Sequence, residues 1–158
     1  MRMSDWSARF TERGGWWVAG QGLLTLAVGA AGVAGRGEAS PLRRISGVAL
    51  LGLAVAIGLF GVRAHGRRLT PFPKPSADAR LIEHGIYRFI RHPLYTCNLC
   101  AFFGWAALWS SLLALVGATA AVVFFAAKAR REERWLVAQF AGYPAYRQRV
   151  RAFIPWIW

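Results

Sequence analysis

Three stretches of this chain carry no charged residue, and their lengths limit what it can fold into. Trp16 to Gly35 and Ile45 to Val62 are each about the 20 residues needed to cross a bilayer as a helix. Leu94 to Ala127 is too long for one crossing and slightly short for two. Ser110 and Ser111 lie near its middle, between Trp109 and a second apolar run. The pattern predicts a helical hairpin that turns at the serines, with arms at the short end of the spanning range and tryptophans near the interface. A signal sequence at the first run would have a shorter apolar core, about 7–15 residues. The expected fold is all-α, one integral membrane domain over residues 1–158. It comprises four transmembrane helices (two helices, a polar loop, a helical hairpin) and a C-terminal amphipathic interfacial helix.

Charge is confined to the segments between these runs. The chain has 20 Lys and Arg against 7 Asp and Glu, a net +13. In a soluble protein this would point to nucleic acid, but no nucleic-acid motif accompanies it, and no nucleic-acid partner is expected. Seventeen of the 20 basic residues fall in the N-terminal segment, the loop from Arg63 to His92 and the segment that starts at Lys128. With four crossings these three share one side. The excess of positive charge makes it the cytoplasmic one, with both termini there. A bacterial inner membrane is the expected location.

The polar loop carries the chemistry-bearing residues. It passes through TPFPKPS, where Pro71, Pro73 and Pro75 exclude regular helix, and ends in GIYRFIRHPLY. Pro93 disfavours helical backbone at His92 and suits a first helical position, so a turn and a new helix are predicted there. On the same side, Lys128, Arg130, Arg131, Glu132 and Glu133 follow the hairpin. Carboxylates beside basic and aromatic residues could hold a ligand ammonium, and the aromatic rings a flat ring or a sulfonium. On spacing alone, a solvated, salt-bridged helix end is the simpler and favoured explanation. Farther on, Trp135, Leu136, Phe140, Tyr143, Tyr146 and Val150 recur at helical intervals, with a break expected at Gly142 and Pro144.

Other polar residues read more plainly. Gln21 suits a helix–helix hydrogen bond, and His65 and His84 suit the surface. Cys97 and Cys100 share a helix face, and without further ligands they read as packing residues, with no metal site expected. Small ion-coupled transporters need an ionisable group inside a span, and the four expected spans have none.

From Arg80 to Pro155, GIYRFIRHPLY followed one hairpin later by EERWLVAQFAGYPAYRQRVRAFIP resembles the C-terminal half of the isoprenylcysteine carboxyl methyltransferases. It is similar also to the related bacterial membrane methyltransferases and phospholipid N-methyltransferases. The resemblance implies an integral membrane enzyme that uses S-adenosyl-L-methionine bound at the cytoplasmic face, with residues 80–155 as the cofactor-binding half. Ala79, Arg80, Leu81 and Ile82 would give backbone contacts, and Tyr87, His92, Pro93, Leu94 and Tyr95 would line the cofactor. Glu132, or Glu133 beside it, would hold the methionine amino group. Lys128 stands where the family usually shows Arg; with Arg131 it would contact the substrate. No general acid or base is assigned. The expected acceptor is lipophilic, an isoprenylcysteine-like carboxylate first. The alternatives are a phospholipid or small-amine N-methyltransferase, or a non-catalytic four-helix protein of the same fold.

Overall fold

The computed structural model describes Ser7, residues 10–66 and residues 69–157. Arg67 and Arg68 of the expected basic cluster, and Arg2, Asp5 and Arg9 of the N-terminal segment, lie outside these. Helix α1 spans Gly15–Ala34, α2 Pro41–His65, α3 Pro93–Leu108, α4 Leu112–Gln139 and α5 Tyr143–Arg149. A 3-10 turn at Gly85–Arg88 precedes α3. Three helices, α1, α2 and α4, are long and apolar enough to cross a membrane. At 16 residues, α3 is the short arm of the hairpin. The protein is an integral membrane helical bundle.

Capping chemistry sets the helix ends. Ser40 caps α2, its Oγ accepting from the Arg43 amide, and Pro41 takes the first helical position. The helix thus begins before the apolar run and takes Arg43 and Arg44 into its first turn, where the side chains can reach the interface. The hairpin turns at the serines, as predicted. Ser110 has φ 50°, and Ser111 caps α4 by accepting from the Ala114 amide at 3.2 Å. The Ser111 hydroxyl also donates to Ala31 O at 2.8 Å, and Trp105 Nε1 donates to Gly29 O at 3.1 Å. These two bonds seat the hairpin on α1.

The second arm does not stop where the charges begin. α4 runs unbroken for 28 residues, from Leu112 through the charged block to Gln139. Lys128 to Gln139 contains no Gly or Pro, so the change from apolar to charged alters the helix's surroundings and not its backbone. At 1.5 Å per residue the helix is about 42 Å long, against a hydrocarbon core of about 30 Å, so its last turns stand clear of the lipid. After it, α5 is short, and its buried Tyr143 and Tyr146 pack with Leu81, Leu136 and Phe140. The apolar face of the C-terminal segment therefore covers the polar loop.

α2 packs on α3, α3 on α4, and α1 on both α4 and α3, while α1 and α2 share no packed interface. Small residues allow the closest approach. A Cβ added at Gly47 would lie 2.7 Å from the Leu108 backbone nitrogen and 2.9 Å from Gly104 O, so α2 and α3 touch backbone to backbone. The core is an alanine-rich seam along α4 (Ala114, Ala118, Ala121, Phe125, Ala129) filled by Val28, Phe102 and Phe153. Leu23, Val48, Leu53, Val116 and Val123 stay exposed, as lipid-facing side chains do.

Candidate functional site

A cavity of about 1140 Å³ occupies the gap between α1 and α2 and runs up beneath the polar loop. Small-molecule pockets are commonly about 300–1,000 Å³, so this one lies just beyond the large end of that range. The loop above it is tied down from both sides. Arg13 Nη2 donates to Thr70 Oγ1 at 3.3 Å, the Lys74 amide donates to Arg13 O at 3.4 Å, and Gln139 Nε2 donates to Ser76 O at 2.7 Å. Of the residues expected at the site, Ala79, Arg80, Leu81, Ile82, Tyr87, His92, Leu94, Tyr95, Lys128 and Glu132 line this cavity.

The continuity of α4 selects its contributors. Lys128, Glu132 and Leu136 stand four residues apart on one face, and all three line the cavity. Tyr95 OH donates to Glu132 Oε2. His92 lies parallel to the Tyr95 ring, with centroids 5.3 Å apart, and its Nδ1 faces Glu132 Oε2 at 3.9 Å. Lys128 Nζ donates to Gln21 Oε1 at 2.6 Å and stands 5.0 Å from the Tyr95 ring centre.

Three expected residues are placed elsewhere. Glu133 is rotated by about 100° from Glu132 and faces inward, away from the cavity wall. Its Oε1 accepts from Arg91 Nε at 3.0 Å and Nη2 at 2.8 Å and lies 3.1 Å from His92 Nε2, while Oε2 meets Arg147 Nε at 3.2 Å. A carboxylate held this fully has little left for a ligand. Arg131 is rotated the other way, and its guanidinium covers the Trp135 ring at 4.6 Å, one helical turn on. Pro93 is buried at the first position of α3, packed towards Gly61 of α2. It orients the HPLY turn without lining the cavity.

The Glu133 cluster is also a latch. Arg91 Nη1 donates to Arg147 O at 3.1 Å and to Val150 O, and Ile90 forms a parallel bridge with Arg151. The Arg91 amide donates to Arg151 O at 2.8 Å and the His92 amide to Ala152 O at 2.9 Å. The chain end thus runs beside residues 90–92 and holds them against α4.

Several cavity residues carry another reading in the sequence, or none, and His84 lines the cavity as His65 does. Gln21 does make the expected helix–helix hydrogen bond, but with the cavity lysine. His65, expected at the surface, ends α2 inside the cavity wall, with Nδ1 3.1 Å from both Tyr87 OH and Gly61 O. Its position at the end of a span, 22 residues before Tyr87, was the available signal. Arg91 and Tyr143 also line the cavity. Burial first, then the charge of Glu132, pushes the Tyr87 phenol up from its ordinary range, so it stays neutral. Burial does the same to Tyr143 and Tyr146, with Glu133 adding to it at Tyr143 and Arg91 opposing it at Tyr146. Tyr146 OH donates to Tyr87 O at 2.7 Å and so braces the 3-10 turn.

These residues fit an amino acid–nucleoside cofactor. Glu132 offers a carboxylate at the cavity wall, positioned by a phenol. The Tyr143 hydroxyl is buried with no hydrogen-bond partner among the described residues, an arrangement that a polar ligand would relieve.

The sequence profile of the phospholipid methyltransferase family matches residues 42–142, from the start of α2 to the residue before α5. The chain belongs to that family. It is similar to the cobalt-zinc-cadmium resistance protein CzcN of Cupriavidus metallidurans, 38% identical over 76 residues (48% of this chain, 35% of that protein). It is similar also to the nickel-cobalt-cadmium resistance protein NccN of Alcaligenes xylosoxydans xylosoxydans, 36% identical over 79 residues (49% and 37%). The matched stretch thus spans only about a third of each of these relatives.

Proposed function

We propose that this family member transfers the methyl group of S-adenosylmethionine to a lipophilic acceptor, with a carboxylate of isoprenylcysteine type favoured. The observation that carries the reading is the pairing of Lys128 and Glu132 on one face of α4, in a cavity that reaches from the polar loop to the open seam between α1 and α2. One end offers a carboxylate among aromatic rings. The other offers an ammonium among apolar side chains.

When bound, S-adenosylmethionine supplies an electrophilic methyl on a sulfonium. Glu132, aimed by Tyr95, holds the amino group of the donor. Neutral Tyr87, the His92–Tyr95 stack and the 79–82 segment form the remaining wall, and Tyr143 has a free hydroxyl to offer. Lys128 holds the acceptor's head so that a carboxylate oxygen attacks in line. A carboxylate nucleophile needs no base, consistent with a site in which His92 is committed to Glu133. The apolar seam admits a chain from the lipid and keeps water from the reacting atoms. The excess of basic residues on one side supports a cytoplasmic cofactor end with both termini on that side, in a bacterial inner membrane.

A second reading, amine methylation of a phospholipid or small amine, is favoured by His65, a titratable side chain on the cavity wall beside Tyr87. The test is calorimetric binding of S-adenosylhomocysteine to the detergent-purified protein, with Glu132→Gln alongside. Binding lost in the variant supports the cofactor reading. A folded wild-type protein that binds nothing in detergent or nanodiscs moves the reading to a non-catalytic relative. Mass shifts of carboxylate and amine acceptors incubated with S-adenosylmethionine separate the two acceptor classes.

A further inference from the structure

Lys128 lines the cavity yet is only 1% exposed. Its contacts are the Gln21 carboxamide oxygen, at 2.6 Å, and the face of Tyr95. Glu132, one turn away, takes its hydrogen bond from Tyr95. No carboxylate among the described residues comes within 4.0 Å of the lysine nitrogen. Burial disfavours an ammonium, and an anion brought against it offsets that cost.

The surroundings say what kind of anion. Around Gln21 the cavity wall is Val18, Gly22 and Leu26 of α1, and across the seam it is Gly58 and Val62 of α2. A side chain on Gly22 would meet nothing within 4 Å, so the seam is open at this level. An apolar slot ending at a lysine ammonium with no carboxylate in contact suits an amphiphile with an anionic head. Gln21 itself lies in α1, outside residues 42–142 that match the family.

We infer that Gln21 is a specificity-determining residue: by holding Lys128 through a neutral carboxamide, it leaves the ammonium's charge for the acceptor and selects amphiphiles with an anionic head, carboxylate or phosphate. The inference rests on reading the cavity as a methyltransferase site with its acceptor at the Lys128 end. A glutamate at this position would be nearly the same shape and would cancel the charge.

The test uses the full chain in phosphatidylcholine nanodiscs and calorimetric titration with tetradecanoate, dodecyl phosphate and dodecyltrimethylammonium. Wild-type protein should bind at least one of the anions about tenfold or more tightly than the cation, and which anion binds tells carboxylate from phosphate. Gln21→Glu should weaken the anion by at least about tenfold and leave the cation no weaker, a change of charge preference that a packing defect would not produce. Lys128→Met, which keeps the bulk and removes the charge, covers the case of a misfolded glutamate variant; it should lose the anion to the same extent. Equal anion affinity in wild type and Gln21→Glu, or in wild type and Lys128→Met, overturns the inference. A parallel titration with S-adenosylhomocysteine reads the other end of the cavity. Failure there with anion selectivity intact rejects the methyltransferase reading alone. Cofactor binding with no anion selectivity rejects the Gln21 inference alone.

Discussion

His92 and Tyr95 stack in parallel, with ring centroids 5.3 Å apart and planes 6° apart. They stand within one turn at the start of α3, and between them they meet both carboxylates of α4. Tyr95 OH donates to Glu132, and His92 Nε2 meets Glu133 at 3.1 Å. Removing the phenol while keeping the ring separates the two functions. Tyr95→Phe should weaken S-adenosylhomocysteine about ten- to a hundredfold, the range for a hydrogen bond to a charged group, while the melting temperature moves little. Calorimetry and a thermal scan on the same sample check this.

Neighbouring glutamates should behave oppositely. Glu132→Gln should cost cofactor affinity by about 2–5 kcal/mol and leave the fold in place. Glu133→Gln takes the charge from a carboxylate that holds the buried Arg91 and His92 and the exposed Arg147, and the Arg91 guanidinium left unpaired should destabilise the protein by about 3–5 kcal/mol. Melting temperature and binding, measured on both variants, would show exchanged profiles if the roles are reversed.

At Gly47 the α2–α3 contact leaves no room for a side chain. A Cβ there meets Leu108 N at 2.7 Å. Gly47→Val should therefore force the two helices apart and cost about 1–3 kcal/mol or more. Gly52→Val, on the same helix at an open position, should be near neutral. Equal melting temperatures for the two variants would show that the backbone contact is not made.

Alkaline pH should weaken the loop end of the site. Tyr87, Tyr143 and Tyr146 are all raised in the folded protein, chiefly by burial, from the ordinary value of 10.0. Below about pH 10 their neutral forms are shared by folded and unfolded chains, and their contribution to stability is fully present. Above it the unfolded chain ionises first, so stability falls as pH rises towards the folded values. Melting temperature followed from pH 8 to 11, on the order of those limits, should drop more steeply in the wild type than in Tyr143→Phe.

Much of the fold was legible because lipid restricts the choices. Uncharged runs of spanning length, a serine pair in the middle of the longest and a proline after His92 are local signals, and each marks an element or a turn. The site blocks were legible as blocks. Their orientation was not, because the charged segment was read as a new helix starting at Lys128. Read as one helix, the seam Ala114, Ala118, Ala121, Phe125 and Ala129 continues by one more turn to Glu133. That extension would have put Glu133 inward and Glu132 on the neighbouring face.

By itself, the sequence determined the long apolar helices and the hairpin turn, which follow from hydropathy and chain stiffness over short distances. Tertiary structure decided which side chains share the cavity. Gln21 reaches Lys128 across 107 positions, and Arg91 holds a chain end 59 positions away. Those pairings depend on the rotation of each helix about its axis. Rotation is set by non-local packing, such as Gly47 against Gly104 and Trp105 against the α1 backbone, and leaves no local mark in the sequence.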